Sequence, residues 1–200
     1  MWTHHARVRV RAVDLKSGVV DVEHFGYHRL AAPVTHRRWL VAPHDWPAVL
    51  VVDLLSGAGR HLVRTSWPLH PSLGVKPVSL GHLVTRNGSE IAQIAAAATT
   101  RLTAEQVRGD ERRLLGWWSN RLESREPSWL VGASCMADVP LVAATIVQPV
   151  ADGQRVIDLG ISHRGAAIEV AWSDSGRSYR ASIDTTLSGC LRMHSDLLGS

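Results

Sequence analysis

The residues best equipped for chemistry crowd between positions 24 and 38, where His24, Tyr27, His28, Arg29, His36, Arg37 and Arg38 fall close together. A tyrosine beside a histidine offers a phenol that can give a proton and an imidazole that can take one. Arginine's planar fork pairs with carboxylates and sulfates. The same fork suits phosphates, so an acidic glycan is as compatible with these residues as nucleic acid. Strand geometry restricts it, because alternate residues face opposite sides. His24 and His28 share a face only without a bulge between them, and Tyr27 would then point the other way. Bringing Tyr27 to the histidines therefore requires the strand to break at Gly26. Tyr27, Arg29 and His36 are the residues expected to contact a substrate. No catalytic residue is assigned, and the histidines are expected at structural or rim positions. Arg29 has an alternative, packing along the sheet and pairing with Asp21 or Glu23. Arg37 and Arg38 are expected to serve the sheet rather than a ligand.

Other reactive side chains lack a pattern. His4-His5 is a pair without a partner, and His61, His70 and His82 have no ligand spacing, so no metal and no cofactor is expected. Cys135 and Cys190 are too few for a disulfide scaffold; one bridge between them or two unrelated thiols both fit. Of the eight tryptophans, Trp39, Trp67, Trp117 and Trp172 fall on strand faces and are expected in the core, whereas Trp46 and Trp118 have the better claim to exposure.

The elements that must carry these residues are strands. The 200 residues fit one large domain or two small ones, and 45% hydrophobic content is ordinary for a folded globular chain. Val8, Val10 and Ala12 alternate with Arg7, Arg9 and Arg11, and Val20 and Val22 alternate with Asp21 and Glu23, so each reads as a half-buried strand. Ala48 to Leu55 is apolar on both faces except at Asp53 and reads as a central strand covered on both sides. Ser56-Gly57-Ala58-Gly59 follows as a turn, with Arg60 to Trp67 returning as the antiparallel partner. Thr103 to Leu115 is broken by Gly109-Asp110 and reads as two strands of a hairpin. Asp152-Gly153 signals another hairpin, and Asp174-Ser175-Gly176 a third, leading into Arg177 to Ile183. Many short strands punctuated by Gly and Pro predict an all-β, antiparallel β-sandwich over residues 1–187, with 188–200 as a tail that can fray.

Charge narrows the partners. Lys+Arg number 22 against 18 Asp+Glu, a net of +4 carried almost entirely by arginine, since Lys16 and Lys76 are the two lysines. So slight an excess, without a recognised motif, speaks against nucleic acid. The start carries no apolar signal segment, and no run is long enough for a membrane span.

Several stretches occur in an order that resembles heparinase II/III-like polysaccharide lyases, in the β-sandwich toward their C-terminus. Gly26-Tyr27, Arg29-Leu30, Pro33-Val34, His36 and Arg38 match the first motif. Asp53 closing an apolar strand, then Gly57, Gly59, Arg60 and His61, match the second. Gly116, Trp117 and Ser119 begin a third, which Arg125, Glu126 and Pro127 resume; between them Leu122 and Glu123 stand where the family pattern has Tyr and Gly. The similarity spans about Arg7 to Pro149.

This resemblance implies cleavage of uronate-containing chains by β-elimination, with an acidic polysaccharide as substrate. It also implies an N-terminal α/α toroid that supplies an Asn or Glu, a His and a Tyr. Early sandwich elements, His-x-x-Asp, Asp-Pro-Gly and His-Asn-Thr, hold a structural zinc in some members. None of these occurs in this sequence, so the chain is not expected to be catalytic alone. The expected role is the C-terminal part of a lyase. The alternative is a stand-alone glycan-binding or accessory sandwich.

Overall fold

The computed structural model describes residues 6–151, 153–189 and 191–197. In chain order the strands are β1 (Val8–Asp14), β2 (Val19–His24), β3 (Val34–Val41), β4 (Val49–Gly57), β5 (Arg60–Pro68), β6 (Gly74–Val78), β7 (Gly81–Arg86), β8 (Ser89–Ala98) and β9 (Thr103–Arg108). They continue with β10 (Trp117–Trp118), β11 (Glu126–Pro127), β12 (Trp129–Asp138), β13 (Leu141–Pro149), β14 (Asp158–Arg164), β15 (Ala167–Ser173), β16 (Arg177–Asp184) and β17 (Leu191–Leu197). A single 3-10 turn, Gly26–Arg29, interrupts the first group. Among the described residues no helix is long and apolar enough to cross a membrane.

The strands form three stacked layers. The middle layer is an eight-stranded sheet in the order β1-β2-β3-β4-β13-β8-β7-β6; β5-β12-β9 and β14-β15-β16-β17 make the other two. Every pairing between them is antiparallel. One face of the middle sheet, carrying Trp39, Val41, Leu50, Val52, Ala144 and Ile146, packs on Ile168, Val170, Trp172, Tyr179 and Ile183 of the four-stranded sheet. The opposite face, carrying Val34, Leu55 and Leu141, packs on Val63, Cys135 and Ala137 of the three-stranded sheet. Covering both faces explains why β4 and β13 read as continuous apolar runs.

Several expectations are corrected. β5 does not return beside β4. It crosses to the outer layer and pairs with β12, while β4 pairs with β3 and β13. The reason is legible in burial: β4 is covered on both sides, whereas β5 alternates and has one apolar face to hide. The crossing needs Gly57, where a Cβ would stand 2.2 Å from the Pro33 carbonyl oxygen. Thr103 to Leu115 supplies one strand, β9, followed by a turn closed by a bridge between Asp110 and Leu115. β13 does not fold back after residue 153 but leads to β14 in another layer; Asp152 lies outside the described residues. Leu191–Leu197 of the expected tail form β17 and pair with β16. Trp46 is buried, edge-on to Trp172 at 4.7 Å between ring centroids, because the loop before β4 folds over the aromatic end of the core. Trp39 and Trp172 are core residues, as expected, while Trp67 and Trp117 are half-buried. His4-His5 and Cys190 lie outside the described residues. Finally, Val8 and Val10 of β1 are exposed rather than half-buried, while Ala12 is half-buried as expected.

Candidate functional site

β2 stops at His24 and the backbone closes into the 3-10 turn, with His28 N–H donating to the Phe25 carbonyl and Leu30 N–H to that of Tyr27. The break falls where Tyr27 needs it. Gly26 permits it, since a Cβ there would lie 2.5 Å from the His24 ring. The Gly26 N–H donates to His24 Nδ1 at 3.3 Å, which leaves the His24 proton on Nε2. Released from strand alternation, Tyr27 folds back over the face carrying His24 and His36, with ring centroids 5.3 Å and 6.5 Å away. His24 and His36 are paired across β2 and β3, their rings 6.3 Å apart. Partial burial and the neighbouring His36 both push the His24 pKa down.

Beneath these rings lies a buried carboxylate. Asp53, at the centre of β4, faces Arg38 across the strand pair, with His36 two residues along the same face. His36 Nε2 donates to Asp53 Oδ1 at 2.6 Å; Arg38 Nε donates to the same oxygen at 2.6 Å and Nη2 to Oδ2 at 3.0 Å. Burial pushes the Asp53 carboxyl up, but these hydrogen bonds outweigh it and hold the carboxyl below its ordinary value. The same contact raises the Arg38 pKa. With Nε2 committed to Asp53, Nδ1 is the His36 ring nitrogen left to face a ligand. Asp53 therefore fixes the direction of an imidazole and of a guanidinium together.

These groups open into a cleft of about 160 Å3. Its floor is His36, Arg38 and Asp53; the 3-10 turn, through Tyr27 and Leu30, forms one wall, and β5 from His61 to Thr65 the other. The arrangement offers a phenol, an oriented imidazole and a cation along one wall and floor, which suits a polar, anionic ligand. Tyr27 and His36 come together there. Arg29 does not line the cleft; it is exposed on the same turn, and Asp21 and Glu23 pair instead with Arg37, Arg9 and Arg11. Arg37 faces the opposite side of the sheet and is buried against Asp21, whereas Arg38 is one of the cleft residues. Two signals for Asp53 and Arg38 were present in the sequence: a lone charge within an apolar strand, and an arginine two positions from His36. Among the described residues, no three His, Cys, Asp or Glu side chains gather as metal ligands would.

The two remaining motif pieces also meet. Trp117 pairs with Pro127 and Trp118 with Glu126 in a short ribbon, and Arg125 stacks 4.3 Å over the Trp117 ring. Glu123, standing where the resembled pattern has glycine, has φ of 60°.

The family description "Heparinase II/III-like, C-terminal" matches residues 1–143. The chain belongs to this family. Solved structures extend the likeness beyond the matched residues. A heparinase III gene product with methylated lysines aligns with 96% of the chain at 14% identity and a TM-score of 0.62. A second heparinase III aligns with 90% at 13% identity and a TM-score of 0.63. Heparan sulfate lyase HepC from Pedobacter heparinus aligns with 90% at 10% identity and a TM-score of 0.65. At these identities the likeness is one of fold. The heparinase II/III-like chain spans 27%, 25% and 28% of the lengths of these proteins, in the same order. No curated protein sequence matches it.

Proposed function

We propose that this chain is the C-terminal β-sandwich of a polysaccharide lyase acting by β-elimination on uronate-containing glycans, a glycosaminoglycan or alginate, and that it is not catalytic by itself. In this reading an N-terminal α/α toroid of the same polypeptide supplies the catalytic groups. The sandwich rims the glycan groove, with Tyr27 and His36 in contact with the sugar chain and Arg29 at the outer rim. β-Elimination requires an offset for the uronate carboxylate, removal of the C5 proton and protonation of the leaving oxygen. The observation that carries the proposal is the convergence of Tyr27, His36 and Arg38 on one cleft in a chain of this family.

The test follows absorbance at the unsaturated-uronate band while the folded chain is incubated with heparin, heparan sulfate or alginate, with binding measured in parallel by calorimetry. The expected result is no rise in absorbance, together with binding that Tyr27→Phe and His36→Gln weaken at least threefold. A steady rise abolished by either variant would overturn the non-catalytic assignment. Absence of binding to all three glycans would overturn the glycan assignment.

A further inference from the structure

Ile168, Val170 and Trp172 of β15 point into the core, so strand alternation turns Ala167, Glu169 and Ala171 to the outer face of the four-stranded sheet. Register aligns Gly160, Ala171, Arg180 and His194 in one row across β14 to β17, and Ser162, Glu169, Ser182 and Arg192 in the next. Short side chains on β14 and β15 leave a depression. Arg180, Arg192 and His194 rise on its β16–β17 side, and Arg164 stands at the β14 corner. The result is a groove of about 740 Å3. At the usual spacing of neighbouring strands it crosses about 14 Å.

The charges of this groove are unbalanced. Arg9, Arg11, Arg37 and Arg38 each meet a carboxylate on a neighbouring strand. Among the described residues, Arg164, Arg180 and Arg192 form no ion pair. Exposed cations gathered in a concave surface repel one another and attract anions. Glu169 is the single acid of the lining. Ser182 Oγ donates to its Oε2 at 2.6 Å, which leaves Oε1 without a protein donor among the described residues. That oxygen can accept from a ligand hydroxyl, and the Ser162 hydroxyl can donate or accept beside it. The groove therefore matches a ligand bearing both anions and hydroxyls. Tryptophan, tyrosine and phenylalanine are missing from the lining, so it has no platform for stacking nucleic-acid bases, and Glu169 opposes a phosphate backbone.

We propose that the outer face of β14–β17 is a second glycan-binding site, without chemistry of its own. It takes a chain with sulfate or carboxylate groups, the arginines meeting the anions and Glu169 the hydroxyls. This groove lies outside residues 1–143 matched by the family description. It shares no lining residue with the Tyr27 cleft, which opens on the other side of the eight-stranded sheet. The inference thus goes beyond the proposed lyase role and does not depend on the cleft. A polymer held at both surfaces would dissociate more slowly than from either alone.

Calorimetry and amide chemical shifts of the 200-residue chain test this, with a heparin hexasaccharide for sulfate and an alginate hexasaccharide for carboxylate. Binding is measured in a Tyr27→Phe, His36→Gln background, so that the cleft contributes little. The expected result is that at least one hexasaccharide moves β14–β17 amides. Adding Arg180→Gln and Arg192→Gln should weaken that binding at least fivefold and make it less salt-dependent, with the urea midpoint unchanged, because both side chains are exposed. Arg164→Gln at the opposite corner should weaken it about twofold, which keeps the inference falsifiable should the paired substitution disturb folding. Unmoved β14–β17 amides with both hexasaccharides would overturn the inference, as would arginine variants that bind as tightly as their parent. Tighter binding of single-stranded DNA than of heparin to this face would overturn the glycan assignment. In the unsubstituted chain, shifts confined to residues around Tyr27 and His36 would remove this site and leave the proposed cleft standing; shifts confined to β14–β17 would do the reverse.

Discussion

Replacing Asp53 with asparagine is the most informative perturbation of the cleft. The carboxylate is 4% exposed and accepts three hydrogen bonds, one from His36 and two from Arg38. Asparagine keeps the shape but not the charge, and its amide nitrogen cannot accept from Arg38. Removing one partner of a fully buried ion pair costs about 3–5 kcal/mol. The Arg38 side chain is 39% exposed, so water compensates part of the loss, and about 2–4 kcal/mol is expected. For a chain of this size that corresponds to a melting point lower by about 5–15 °C, or a urea midpoint lower by about 1 M with unchanged slope. The pH dependence gives a sharper signature. The folded Asp53 pKa lies below the ordinary value, so its contribution is complete above the unfolded pKa and is lost as pH falls through the folded one. The stability gap between wild type and Asp53→Asn should therefore close in acid. Urea titrations at neutral pH and at successively lower pH measure both quantities. A variant within about 0.5 kcal/mol of wild type at neutral pH, the range of an ordinary surface substitution, would refute the reasoning.

Three further expectations concern other parts of the molecule. Arg37 holds Asp21 with two hydrogen bonds and caps the Thr185 and Leu187 carbonyls, so Arg37→Met should cost about 3–5 kcal/mol and speed hydrogen exchange in the 185–189 loop; a loss under 1 kcal/mol would contradict the latch. The Tyr179 hydroxyl is pushed up to about 12 by burial and by Asp174, so stability should fall as pH rises from about 10, where the unfolded phenol ionises, toward 12. Tyr179→Phe should remove that slope in chemical denaturation. Glu123→Gly should be neutral or stabilising by up to about 1 kcal/mol, because glycine takes positive φ without the Cβ clash; a lower urea midpoint would show that the Glu123 side chain contributes contacts.

Much of the cleft could be read from residue order, and the missing parts have definable causes. Spacing of two placed His36 and Arg38 on one face, and Gly26 marked the break that Tyr27 needs. Arg38 pairs within the sheet as expected, but its place in the cleft was not legible because its partner, Asp53, lies on the next strand in register rather than nearby in sequence. Arg29 looked equivalent to Tyr27, yet the 3-10 turn sends neighbouring residues in different directions, and Arg29 stays outside. Trp46 looked exposed because a loop tryptophan between His44-Asp45 and Pro47 carries no periodicity, and burial came from distant strands.

The sequence by itself determined the strand class, the central position of the Ala48–Leu55 run and the family, because alternation, apolar runs and motif order are local properties of a chain. Tertiary structure decided which strands share a sheet. The turn at Ser56–Gly59 is equally compatible with a hairpin and with a step between layers, and the step wins because Arg60–Pro68 has only one apolar face while Leu141–Pro149 has two. It also decided that the apolar side of Val8–Asp14 is uncovered, since periodicity states which face should be hidden but not whether another strand is present to hide it.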